Sequence, residues 1–246
     1  MDERQGPPAD LKARLLAAAV REPATRPGAW GRRLAVTVAV GALWLAVLLM
    51  TLGVRRDWTE LRAAPWVSTV LGLAAAAAVA SVLALRRGRA MVGAGAGALS
   101  AALCALPVAL AVLVSVVDPC APGAAASTVA DTGLHAPAGL LGGAVRCVEI
   151  TVLAGAPLVG LGLLLLRGLT VSRPIAVGAC LGLGAATWAH LLVRLHCSMG
   201  GAGHAVVAHL LPALPLMVVS AWALWALDRR EHARRDRGRS GPPRTM

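Results

Sequence analysis

The chain has 246 residues, of which 57% are hydrophobic, and a mean hydropathy of +0.70, a composition that excludes an ordinary soluble domain. Its formal charge of +12 would suggest nucleic acid in a soluble protein. Here the cations flank apolar stretches, so membrane topology accounts for them and no direct nucleic-acid binding is expected. The single Lys and the absence of Phe, Tyr and Asn reflect a GC-rich genome and carry no function.

In chain order, residues 1–33 form a polar tail with one patterned segment. Asp10 is placed to cap a helix running from Leu11 to about Glu22, which Pro23 ends. Leu11, Leu15, Ala18 and Ala19 share one face of it, with Leu16 and Val20 beside them. A helix this short cannot bury its own apolar stripe, so it must lie on the bilayer or dock in a partner. Pro23, Pro27 and Gly28 then link it to Arg32-Arg33.

Six apolar stretches follow: Leu34–Val54, Trp66–Leu85, Ala90–Val117, Val148–Leu166, Pro174–Val193 and Ala205–Leu227. Each is close to the roughly 20 residues needed to cross a bilayer. The first is too long, and too far from the start, for a cleaved signal segment, and reads as a permanent helix. Residues 228–246 form a basic tail, expected to be disordered or to lie against anionic lipid. The expected fold is therefore all-α: a polytopic membrane protein, a bundle of six transmembrane helices (34–227) with a short cytoplasmic N-terminal amphipathic helix (in 1–33).

The cations sort between alternate connections. The N-terminal tail holds 7, the 86–89 gap 3, the 167–173 gap 2 and the C-terminal tail 7, while the other set totals 5: Arg55, Arg56, Arg62, Arg146 and Arg194. Cytoplasmic loops retain positive charge, so both termini are expected in the cytoplasm. Trp58, Trp66 and Trp188 then fall near the outer interface, Trp30, Trp222 and Trp225 near the inner one, and Trp44 mid-span. Gly93/Gly97 and Gly178/Gly182 have the spacing that lets helix backbones approach, read as packing within the bundle. Pro107, Pro157, Pro212 and Pro215 are candidate kinks. The spans lack a run of intramembrane charge, which argues against a transport cycle. No catalytic triad, phosphate loop or paired carboxylates are present, so no enzymatic activity and no cofactor are expected.

The same topology gathers Cys and His at the outer face. Cys147 opens the fourth span, His196-Cys197 follow the fifth, His190 is near its outer end, His204 and His209 begin the sixth, and Cys120 and His135 lie in the outer loop. Cys104 and Cys180 are expected as small core residues. Three chemistries are open at the outer face. One is a disulfide between two of Cys120, Cys147 and Cys197. Another is a soft-metal site drawn from Cys147, His196, Cys197 and His209. The third is haem held by His190 and His209, which would make the chain a membrane redox protein. On the residues alone, a structural disulfide with polar interfacial histidines is the plainest. Arg146 and Glu149 read as interfacial anchors.

The run Arg146-Cys147-Val148-Glu149-Ile150 opens a Leu-rich span. Arg167, Arg173 and Pro174 mark the next entry, and a Gly-rich helix from Gly178 to His190 leads to Leu195-His196-Cys197 and a final span. With the Leu-patterned tail, the Pro linker and the paired Arg, this resembles the six-span bacterial anti-sigma factors of the NrsF type, negative regulators of extracytoplasmic-function sigma factors. The resemblance covers most of the chain and rests mainly on its second half, Cys147 and His196-Cys197 being its most specific marks. The loop Ser198–Gly203 departs from the pattern in lacking acidic and Pro residues. The resemblance implies that the tail docks a sigma factor through Leu11, Leu15, Leu16 and Ala19. It implies that Cys147, Cys197 and His196 sense a periplasmic signal, and that the chain holds the sigma factor at the inner membrane until that signal arrives.

Overall fold

The computed structural model describes residues 29–54, 63–86, 94–117, 136–171, 173–197 and 205–239. Six α-helices make it up: α1 (Ala29–Leu52), α2 (Ala63–Leu85), α3 (Ala96–Val117), α4 (Ala136–Leu166), α5 (Pro174–His196) and α6 (Ala213–Arg239), with a π-helical segment, Ala205–Leu210, before α6. No β-strand occurs among the described residues. The N-terminal segment holding Leu11, Leu15, Leu16 and Ala19 lies outside them, as do Cys120, His135 and His204.

Five of these helices contain stretches long and apolar enough to cross a membrane: Trp30–Leu52, Trp66–Leu85, Ala96–Leu113, Val145–Leu166 and Pro174–His196. Their outward faces carry large apolar side chains in the open, such as Met50 at 87% exposure, with Leu43, Val108, Leu153 and Leu164. An aqueous surface would not tolerate so continuous an apolar coat. The chain is a membrane protein. Three of its buried hydroxyls are satisfied locally: Ser81, Thr151 and Thr187 donate to the carbonyls of Ala77, Cys147 and Leu183, each one turn back on the same helix.

The sixth apolar stretch is not one helix. Pro212 supplies no backbone N–H, and the chain breaks at Leu211-Pro212 between the π segment and α6. The apolar part of α6, Ala213–Leu227, is about 22 Å long at 1.5 Å per residue, short of a crossing by itself. Of the two readings of the C-terminal segment, disorder does not hold for residues 228–239: they continue α6 to Arg239 and are docked. Glu231 Oε1 accepts from the Gly168 N–H at 2.7 Å, Arg235 donates to Thr170 Oγ1 at 3.4 Å, and the Arg229 guanidinium lies 4.3 Å from the Trp225 ring centre. A helix already started by an apolar stretch needs no new nucleus, so a polar continuation with side-chain partners stays helical.

α5 is the central helix, touching α1, α2, α3, α4 and α6. It starts with Pro174 at its first position, where the missing N–H costs nothing. Gly178 and Gly182 let α6 approach closely: a Cβ on Gly178 would lie 2.6 Å from Ala221 Cα, and one on Gly182 2.6 Å from Met217 Cα. The Ser220 hydroxyl, fully buried, donates to the Gly178 carbonyl across the same contact. This pair packs within the bundle, as its spacing predicts. Gly97 has open space around it, and Gly93 is outside the described residues. Gly178→Val or Gly182→Val should therefore lower the Tm in detergent by several degrees, from overpacking of about 1–3 kcal/mol, whereas Gly97→Val should leave it unchanged.

Two side chains face differently from a simple reading of their spans. Trp188 packs between helices, against Gly41 of α1 and the clusters of Leu158 and Leu191. Cys104 is exposed on the outside of α3, while Cys180 is buried as expected. A period-3.6 pattern cannot tell a core face from a lipid face when both are apolar.

Candidate signal-sensing site

One end of the bundle brings together the C-terminal end of α1, the first described side chains of α4, the C-terminal end of α5 and the π segment. Cys147 belongs to α4, and Cys197 caps α5, its N–H donating to the Val193 carbonyl at 2.7 Å. Their sulfurs are 3.6 Å apart. Neither is in a disulfide, and both are buried, 6% and 7% exposed, set among Val193 and Ala208 with Val148 and Ile150 alongside. Thr151, fully buried, holds the Cys147 carbonyl at 2.8 Å and fixes this turn of α4. Two thiols in van der Waals contact, facing each other from different helices, can do two things. Loss of two protons and two electrons joins them at about 2.05 Å, or a soft cation bridges both sulfurs.

His196, next to Cys197, turns the other way. Its Nδ1–H donates to the Gly53 carbonyl at 2.9 Å, which fixes the tautomer, since a carbonyl can only accept. Gly53 follows α1 with φ +83°, a left-handed conformation suited to Gly, and its N–H donates to the Leu49 carbonyl at 2.9 Å. Of the candidate metal ligands, Cys147, His196 and Cys197 do not gather as a set of three, and no group of three or more metal-ligating side chains occurs among the described residues. The side chain of His209 lies outside them, and with it the haem pair. Arg146 and Glu149 are exposed, and no ion pair joins them.

His190, expected near the outer end of the fifth span, and Arg194, counted with the outer connections, are 1% and 7% exposed, packed among the helices. His190 lines a largely apolar cavity of about 310 Å³ with Leu103, Pro107, Leu110 and Leu210. His190, Arg194 and Cys197 recur at the i, i+4, i+7 spacing of one helix face. That spacing was visible in the sequence. Counting Arg194 as a loop charge concealed it.

A family model described as NrsF, negative regulator of sigma F, matches residues 16–229. The chain belongs to the NrsF family. Neither curated protein sequences nor solved structures gave a match. The matched span reaches from within the N-terminal patterned segment to Arg229 of α6, just before the docking residue Glu231, and includes both thiols. A family of negative regulators of a sigma factor makes a sigma factor the partner class, and the role of its members regulatory.

Proposed function

We propose that this NrsF-family protein is a membrane-bound anti-sigma factor, which sequesters an extracytoplasmic-function sigma factor at the bacterial inner membrane and releases it on a periplasmic signal. The observation that carries the reading is the meeting of Cys147 and Cys197, 50 residues apart in sequence, at one end of a bundle of sigma-factor regulators. In this reading residues 1–33 are the cytoplasmic docking segment, with Leu11, Leu15, Leu16 and Ala19 on the sigma factor. Residues 34–227 are the membrane bundle, and 228–246 are cytoplasmic. The π segment and the apolar part of α6 together make a sixth crossing, so both termini face the cytoplasm. That arrangement agrees with the charge count. It also agrees with the separation between the thiols at one end and the Gly168–Glu231 contact, beside Arg167, Arg173 and the arginines of α6, at the other. Cys147 and Cys197 are the input, and His196 is their neighbour in the sensor. The lipid bilayer is the second partner, and DNA is not contacted directly.

Reporter fusions test the placement. Fusions after Ala90 and after Met246 should report a cytoplasmic position and fusions within 121–135 a periplasmic one. A periplasmic C-terminus would remove the thiols from the outer face and end the sensor reading.

A further inference from the structure

We propose that α1 is a lever that carries the state of the thiol pair to the cytoplasmic tail, with His196 and Gly53 as its outer joint and Trp44 as its fulcrum. The proposal rests on the sensing reading above and supplies its route.

α1 is the least embedded of the candidate spans: 11% of it is buried in the protein, against 78% of α5. Small forces at its contacts therefore move it more easily than any helix of the core. Two hydrogen bonds pin it. The Trp44 Nε1–H donates to the Ala154 carbonyl of α4 at 3.1 Å, and His196 of α5 donates to the Gly53 carbonyl at 2.9 Å. Both pins reach the helices that hold the thiols. Ala154 lies two turns beyond Cys147 on α4, and His196 is the residue before Cys197.

Joining the sulfurs requires them to approach by about 1.5 Å, from 3.6 Å to the covalent distance. The movement shifts α5's end relative to α4. α1 is fastened to α4 at Trp44 and to α5 at Gly53, so it cannot keep both bonds without turning. From Trp44 to Gly53 is about 13 Å along the helix and from Trp44 to Trp30 about 21 Å, at 1.5 Å per residue. A shift of 1.5 Å at Gly53 thus becomes roughly 2 Å at Trp30 in the opposite sense, where the chain enters α1 from the docking segment. Gly53 is needed at the joint because its left-handed conformation aims its carbonyl at His196, and a side chain there is strained.

The test uses the full chain in lipid nanodiscs, with Cys104, Cys120 and Cys180 replaced by Ser. Trp30→Cys and Arg230→Cys carry spin labels, attached as thioethers before oxidation. Diamide, an azo oxidant, takes two electrons and two protons from the Cys147 and Cys197 thiols. It becomes the hydrazine as the S–S bond forms, and mass spectrometry counts that bond. On oxidation the interspin distance should change by about 2 Å. In His196→Ala and in Gly53→Ala the disulfide should form to the same extent while the distance stays fixed. His196→Gln, whose amide still donates, should restore the change, and Trp44→Phe, which keeps the ring but removes the donor, should blunt it. A disulfide that forms without a distance change in the parent protein, or an unaltered change in His196→Ala, overturns the lever. If diamide joins no sulfurs in the parent protein, the thiol-input reading itself fails, and the lever with it.

Discussion

Replacing Leu11 and Leu15 together by Asp should abolish repression and release sigma-dependent transcription in cells that make normal amounts of the protein. The two leucines share one face of a segment too short to fold on its own, so their burial must come from a partner surface. Burying one Leu is worth roughly 1.5–3 kcal/mol. Losing two would weaken binding about 100- to 10,000-fold at 1.4 kcal/mol per decade, before the added cost of burying a carboxylate. Lys12→Ala and Arg14→Ala, on other faces, should have little effect. A reporter under the sigma factor's promoter reads the result. Full repression by the double variant would mean that the docking face is misassigned. An isolated 1–33 peptide that partitions into vesicles but captures no sigma factor would assign the stripe to the bilayer.

The second large effect is expected at the thiols. Cys147→Ser and Cys197→Ser should each leave the protein inserted and repressing, yet insensitive to thiol oxidants and thiophilic metal ions. Cys104→Ser and Cys180→Ser should respond as wild type. The geometry supplies the contrast: two sulfurs at 3.6 Å from different helices, against one thiol on the outside of α3 and one alone in the core. A covalent link of about 2–4 kcal/mol shifts a two-state equilibrium by roughly 30- to 1,000-fold. The measurement is reporter output against oxidant dose at matched protein level. Wild-type responses from both outer variants would leave the cysteines structural and the anti-sigma role standing.

How much of this could be read from the sequence varies from residue to residue. The five uninterrupted spans were legible because burial in lipid demands length and apolarity, and both are local properties. That Gly178 and Gly182 pack within the bundle was legible from their spacing, but not that α6 is the partner, nor that Gly97, with similar spacing, faces open space. The break in the sixth stretch was legible only as a candidate kink at Pro212, because the effect of a proline depends on what precedes it, and the docking of α6's polar end was not legible, because it depends on Glu231 finding the Gly168 N–H 63 residues away. At the candidate site, the family marks singled out Cys147 and Cys197, and a link between them was one of several pairings the residues left open. Nothing in either segment encodes a 3.6 Å approach between side chains 50 residues apart. The placement of His196 was hidden for the same reason: its Nδ1–H is taken by the carbonyl of Gly53, 143 residues earlier.

The central claim is tested most directly by recovering the full-length protein from its native host in lipid nanodiscs, with and without diamide, and identifying what comes with it by quantitative mass spectrometry. The account predicts a near-stoichiometric sigma factor in the reduced sample and at least a tenfold loss of it once the Cys147–Cys197 bond has formed. A reduced sample that contains no sigma factor, or an oxidised one that keeps it in full, would contradict the account.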